Sequence, residues 1–260
     1  MYLLGKNFKV GKGLKALTYI QNFMRGRNAA NHNQMLNRTQ GIPLSNKWKN
    51  LCPNMTADCY NYCIETTGRN NSPNAVNARY ERTALFTNHT AAYFDQLEGE
   101  LRKGMRAADK QGLPLAVRLN GTSDIRWEEW IVRDGKNIFE LYPSVIFYDY
   151  TKLFDRHKVF SGYYPNYTLT FSYDGKSNHY LDVMHRHPNV NISVVFDKRM
   201  EMPKEWMGRR VINGGGDDER FADPKGVIVG LPAVGVLGNA KISNDFKQEA
   251  GLSALRIGGE

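Results

Sequence analysis

After Gly112 the chain repeats one pattern: a short run rich in Val, Ile and Leu, a polar end, then a helical or looping return. The runs are LPLAVRLNG (113–121), SVIFYDYT (144–151), YTLTFSYDG (167–175), NISVVF (191–196), RRVING (209–214) and GVIVGLP (226–232). Runs that are apolar on both faces suit covered strands, and strands alternating with helices suit parallel βαβ units. Such strands can form an open doubly wound sheet or a full or partial (β/α) barrel. No Gly-x-Gly-x-x-Gly follows the first of them, which weakens the dinucleotide-binding version. INGGGDD (212–218) lacks the Lys-Ser/Thr of a phosphate loop; it could cradle a phosphate, but a tight turn is the favoured reading. We expect an α/β chain whose parallel strands make a barrel-like or partial-barrel fold, preceded by a basic helical N-terminal segment.

Upstream, Leu14, Leu17, Ile20, Phe23 and Met24 recur at helical spacing until Gly41-Ile42-Pro43 breaks the stripe. Ser72-Pro73 opens a second helix through NAVNARYERTALF. A third runs from about Ala91 to Lys110, with Tyr93, Phe94, Leu97, Leu101 and Met105 on one face. TSDIRWEEWI reads as a helix capped by Thr122 or Ser123, and KSNHYLDVMHRH (176–187) as another. Residues 1–50 then form a basic arm, and residues 51–260 the barrel-like domain with a cysteine loop.

Charge separates those two parts. Residues 1–50 hold six Lys and three Arg and no carboxylate, the first being Asp58. The rest of the chain balances 26 basic against 26 acidic side chains, so the whole +9 lies in the arm. Tyr19, Phe23, Asn28, Asn31, Asn33 and Trp48 are interleaved with it, as on a surface that touches phosphates and stacks on bases. Nucleic acid or another polyanion is the expected partner, and a merely solvated arm is the alternative. No apolar run approaches the ~20 residues of a membrane helix. The N-terminus lacks the apolar core of a secretory signal. We expect a cytoplasmic protein without a membrane partner.

Polar residues crowd the strand ends: Arg118, Asn120 and Asp124; Asp149, Tyr150 and Lys152; Ser172, Tyr173 and Asp174; Asp197 and Lys198. In a parallel barrel such ends meet at one mouth. Asp124, Lys152 and Asp174 are the catalytic candidates, with either aspartate able to act as general base. Arg118, Asn120, Tyr150 and Ser172 would line the substrate, Arg118 and Lys152 clamping an anion. Loops after strands are polar in any case, and Asp124 could simply cap a helix. His185 and His187 sit where a helix ends, a place that suits a cation, and are not counted as catalysts.

All three cysteines fall within CPNMTADCYNYC (52–63). An odd number argues against a closed disulfide framework. Cys52, Cys59 and Cys63 are spaced to converge on a metal, and Asn54, Thr56, Asp58 and Asn61 between them suit a loop better than a core. In the alternative they are small apolar residues of a core. A structural zinc needs a fourth ligand, for which His89 is a weak candidate. A [4Fe–4S] cluster on three thiolates leaves one iron open to a small molecule. S-adenosylmethionine is one co-substrate such an iron could take, although the spacing here is not the Cys-x3-Cys-x2-Cys of that chemistry.

CPNMTADCYNYC, NAVNARYERTALF, RLNGTSDIRWEEW, FYDYTK and VINGGGDDERFADPKGVIVGL occur in the order typical of the phage gene-product-eighty-eight domain family, which this chain resembles over roughly residues 45–232. Gly121-Thr122-Ser123-Asp124 stands where the family more usually has Gly-Asp, which shifts the carboxylate. The resemblance implies a bacteriophage or prophage protein working in the host cytoplasm, and supplies no reaction. We therefore expect a phage-encoded metal–sulfur enzyme, iron–sulfur favoured, acting on a nucleotide or nucleic acid. The alternative is a non-enzymatic nucleic-acid-binding protein with a structural zinc.

Overall fold

Each of the six apolar runs forms a strand. In the computed structural model these are β3 (Leu115–Arg118), β4 (Ile146–Thr151), β5 (Tyr167–Ser172), β6 (Ile192–Phe196), β8 (Arg209–Asn213) and β9 (Ile228–Pro232). Four more were not expected: β1 (Gly5–Lys6), β2 (Leu17–Ile20), β7 (Glu205–Trp206) and β10 (Lys247–Gln248). The structure describes residues 2–6, 16–24, 51–56, 59, 63–66, 68–175, 177–197, 201–233 and 247–248. They gather into two units, one within residues 1–8, 14–54 and 64–147, the other within 9–13, 55–63 and 148–260. Strand β4 contributes Ile146 and Phe147 to the first and its remaining residues to the second.

In the first unit β2 runs parallel to β3, and β3 parallel to β4, while β1 pairs antiparallel on the outer side of β2. The helix expected from Leu14 is therefore not found where the chain is described. Leu17–Ile20 is an inner strand with Leu17 opposite Leu115. Thr18, Tyr19 and Ile20 favour a pleated surface, and three consecutive buried residues, Ala16, Leu17 and Thr18, do not fit a one-sided helical stripe. The remainder of the basic arm, with Asn28, Asn31, Asn33 and Trp48, lies outside the described residues, as do Asp58, Asn61 and Lys198.

Two helices cover these strands, α1 (Pro73–Asn88) and α2 (Thr90–Asp109). Ser72 caps α1 by accepting from the Ala75 amide, and Pro73 has no amide to leave unpaired. His89 ends α1 and begins α2, so the two meet at one non-helical residue. From α2, Tyr93, Phe94, Leu97, Leu101 and Ala108 are buried, and a side chain at Gly104 would press within 3.1 Å of Leu115. Glu100 accepts from the Leu3 and Leu4 amides at 2.9 and 2.8 Å. An aromatic core of Phe23, Phe86, Tyr93, Phe94, Trp127 and Trp130 joins the helices to the loop after β3, with Tyr93 and Trp127 stacked at 5.9 Å. Trp130 is half-buried, and each of the other five rings, all buried, contributes about 1.5–3 kcal/mol relative to exposure.

That loop is not the helix expected of TSDIRWEEWI. It holds only one 3-10 turn, Trp127–Glu129. The Asn120 side chain takes the Ile125 amide, the Ser123 hydroxyl and the Trp127 indole on its oxygen, and donates to the Ile125 carbonyl. A side chain that satisfies the local backbone in this way competes with helix formation. Beyond it come the short α3 (Ile138–Leu141), with a capping box from Asn137 and Glu140, and β4.

In the second unit β5, β6, β9 and β8 pair parallel in that order, and β7 closes the edge antiparallel to β8. Strand β10 pairs with Val195 and Phe196, beyond the point where β5 leaves β6. The helices here are α4 (His157–Phe160) and α5 (His179–Arg186), the latter within the segment expected to be helical. Both units are mixed α/β with mostly parallel strands. Among the described residues β1 pairs only with β2, and β7 only with β8, so the ladder is not closed and a barrel is not confirmed. Among these residues no helix is long and apolar enough to cross a membrane.

Candidate functional site

The cysteine segment is fastened to the first unit at both ends. On its way in, the Asp124 amide donates to the Leu51 carbonyl at 2.7 Å, and the Cys52 thiol to the Thr122 carbonyl at 3.5 Å. On its way out, Glu65 meets the Arg79 guanidinium of α1 at 3.5 Å, with both side chains about 95% buried. Arg79 also donates to the Asn70 carbonyl at 2.7 Å. Burial, then the Glu65 charge, raises the Tyr80 phenol above its ordinary value, against the pull of Arg79.

Beside the inward end lies a pocket of about 470 Å³. Leu51 and Pro53, the neighbours of Cys52, form part of its wall. The corner between α1 and α2 supplies Phe86, Thr87 and Thr90, and the loop after β3 supplies Asp124, Ile125, Arg126, Glu129 and Trp130. Phe86 and Trp130 stand 5.0 Å apart with their planes inclined by 58°. Thr87 and Thr90 return their hydroxyl protons to the Thr83 and Phe86 carbonyls. Arg126 and Glu129 approach to 3.7 Å.

Of the sequence candidates in this unit, Asp124 therefore lines a pocket and is 8% exposed. Arg118 and Asn120 are buried and are not among its lining residues. The amide of Asn120 organises the loop that carries the wall.

The other candidates belong to the second unit. Lys152, just past β4, donates to the Ser172 hydroxyl at 2.9 Å, the Ser172 carbonyl at 3.1 Å and the Tyr173 carbonyl at 3.4 Å. Asp174 accepts the Ser177 amide at 2.9 Å, turning the chain toward α5. Tyr150 is half-buried and lies in the field of Arg220. Arg220 is itself almost wholly buried, 2.6 Å from Asp217 and 3.2 Å from Asp223. Burial opposes its charge, but Tyr150, Asp223 and Asp217 outweigh that and raise its pKa. The glycine run gives this guanidinium room, since a side chain at Gly214 would come within 2.7 Å of it. Asp149 accepts from the Tyr167 hydroxyl at 3.1 Å, and that oxygen accepts from Arg156 at 3.0 Å.

Cys52 belongs to the first unit, and Cys59 and Cys63 to the second. All three are partly buried and none is in a disulfide. The Cys59 amide donates to the Thr56 hydroxyl at 3.1 Å. Among the described residues no group of three or more His, Cys, Asp or Glu side chains stands ready to hold a metal. The donor chemistry fits a thiolate-bound cluster, but the arrangement shown is not an assembled ligand set.

Several residues of consequence escaped the sequence reading. Phe86, Arg126, Glu129 and Trp130 line the pocket, yet Phe86 read only as the end of the second helix segment and the other three as one helix start. Glu98 gathers Arg102 at 3.3 Å, Arg133 at 3.1 Å and the Tyr142 hydroxyl at 2.8 Å. His157 and His187 bring ring nitrogens within 2.9 Å. Only the density of Trp, Arg and Glu in RWEEW signals a site.

Residues 9–250 match the family model described as Gene product 88. No curated protein and no solved structure matched the chain.

Proposed function

The chain belongs to the Gene product 88 family, and from that premise we propose that it is a phage-encoded enzyme acting on a nucleotide or nucleic acid, with Cys52, Cys59 and Cys63 as thiolate ligands of an iron–sulfur cluster. The observation that carries this is the pocket whose wall includes both neighbours of Cys52 and the residue Asp124. A cluster held by three thiolates would supply an open iron at which a small molecule can bind and react. Metal binding is coupled to the ordering of its ligands, so thiols not yet grouped can close on an added metal. Asp124, nine-tenths buried at the pocket, would hold or accept a proton from a bound substrate. Phe86 and Trp130 would exclude water, and the basic arm would bring in the polyanion.

Iron, zinc and acid-labile sulfide, measured with an absorption spectrum on protein purified without oxygen, test this beside Cys52→Ser, Cys59→Ser and Cys63→Ser. Iron and sulfide at about four each per chain, lost in the variants, are expected. About one zinc and no iron would replace the cluster with a structural site on a nucleic-acid binder. No metal after anaerobic reconstitution would overturn the ligand assignment.

A further inference from the structure

We propose that the pocket of the first unit takes a nucleobase bearing an exocyclic amine, entering base-first with any phosphate left outside; this rests on the nucleotide or nucleic-acid substrate proposed above. At about 470 Å³ the pocket falls in the range of small-ligand sites, large enough for a base and part of its sugar. Its apolar surface is Leu51, Pro53, Ile125 and the inclined pair Phe86 and Trp130. A planar heterocycle gains most from such rings, because every base has a face to stack.

Charge and hydrogen bonding narrow the ligand further. The lining holds two acidic residues, Asp124 and Glu129, and one basic residue, Arg126, which already leans on Glu129. A phosphate would meet a net negative lining. Both threonine hydroxyl protons are spent on helix carbonyls, so they offer the ligand acceptors rather than donors. The pocket therefore has a surplus of acceptors and wants N–H groups. Adenine, cytosine and guanine carry an exocyclic amine, whereas thymine offers only a ring N–H between two carbonyls. A carboxylate accepting from an exocyclic amine is one of the pairings by which proteins read a base edge, as at the amine of cytosine. Asp124 is the discriminating residue because it is the buried one, and Glu129 is 64% exposed at the rim.

Calorimetric titration of the full chain with adenosine and with thymidine tests the assignment, on protein as purified and again after chelation. Adenosine should bind, and thymidine about ten-fold or more weakly. Asp124→Asn keeps the shape and should weaken adenosine about ten-fold or more. Trp130→Ala should weaken both nucleosides together. Circular dichroism and the urea midpoint confirm that each variant is folded, and Trp130→Ala still decides if Asp124→Asn is not. Absence of adenosine binding by the wild type, equal binding of thymidine, or unchanged binding in a folded variant would overturn the proposal. Adenosine binding that survives chelation, or that is found in protein whose analysis shows no iron, leaves the pocket standing whatever becomes of the cluster. Metal-loaded protein that ignores adenosine removes the pocket and leaves the cluster.

Discussion

The ammonium of Lys152 lies 2.9 Å from the hydroxyl oxygen of Ser172 and also reaches the carbonyls of Ser172 and Tyr173. Two residues read from the sequence as parts of a substrate site thus hold each other, tying the end of β4 to the end of β5. Lys152→Met should cost about 1–3 kcal/mol of stability, and Ser172→Ala, which removes one of the three acceptors, about 0.5–1.5. Urea unfolding measures both. Equal midpoints for Lys152→Met and wild type would free Lys152 for the chemical role first given to it.

Arg79 and Glu65 are buried together at the outward end of the cysteine segment. Removing one partner strands the other charge, so Arg79→Met or Glu65→Gln should cost about 3–5 kcal/mol. Removing both leaves no unpaired charge, and the double variant should recover part of that loss. A double-mutant cycle by urea unfolding checks it, and strictly additive losses would mean the pair acts through something other than its charges.

Tyr142 donates to Glu98 in surroundings that exclude water. Burial first, then the hydrogen bond to that carboxylate, pushes its pKa up to about 12. The folded state therefore holds this proton more tightly than the unfolded chain, whose phenol has the ordinary value of 10.0. Its contribution is complete below that value and is lost as pH rises through the folded pKa. Ultraviolet difference titration should show one tyrosine ionising late, and Tyr142→Phe should abolish that step.

Histidines 157 and 187 share a contact that accommodates one proton between two rings. Burial, then the neighbouring His157, lowers the His187 pKa, with Asp182 opposing and Arg186 adding to the effect. The fold thus prefers neutral His187, while the unfolded chain takes up a proton near the ordinary 6.5. This site leaves stability unchanged above that pH and lowers it as pH falls below. Melting temperatures measured across that range should decline less steeply in His187→Gln.

How far the sequence revealed the molecule depended on what each segment buries. Five of the six apolar runs were legible because covered strands need residues such as Val194, Ile228 and Val229 along their length, whereas β8, with no buried residue, was legible from Val211 and Ile212 alone. The second helix was legible from Ser72-Pro73, a local signal that needs no tertiary context. Strand β2 was not, since Leu17, Ile20, Phe23 and Met24 fit helical spacing too, and only the partner strand β3 decides the matter. The polar motifs were legible as special but misleading about why. Asn120, Asp149, Arg79 and Arg220 are buried groups that must find partners: Asn120 and Arg220 find them within their own motifs, Asp149 at Tyr167 and Arg79 at Glu65 and Asn70. The pocket as a whole was illegible because its wall comes from three distant stretches, and of these only RWEEW, which carries Trp130, is unusual in composition.

Strand β2 has a consequence for how the protein is made. Leu17 waits for Leu115, roughly a hundred residues later, and at ribosomal speeds of about 5–20 residues per second that wait is several seconds or more. Until β3 emerges, Thr18, Tyr19 and Ile20 have no inner neighbour to bond with. A nascent chain arrested shortly before Leu115 should therefore expose this stretch to proteases and to chaperones, and one released beyond Arg118 should not.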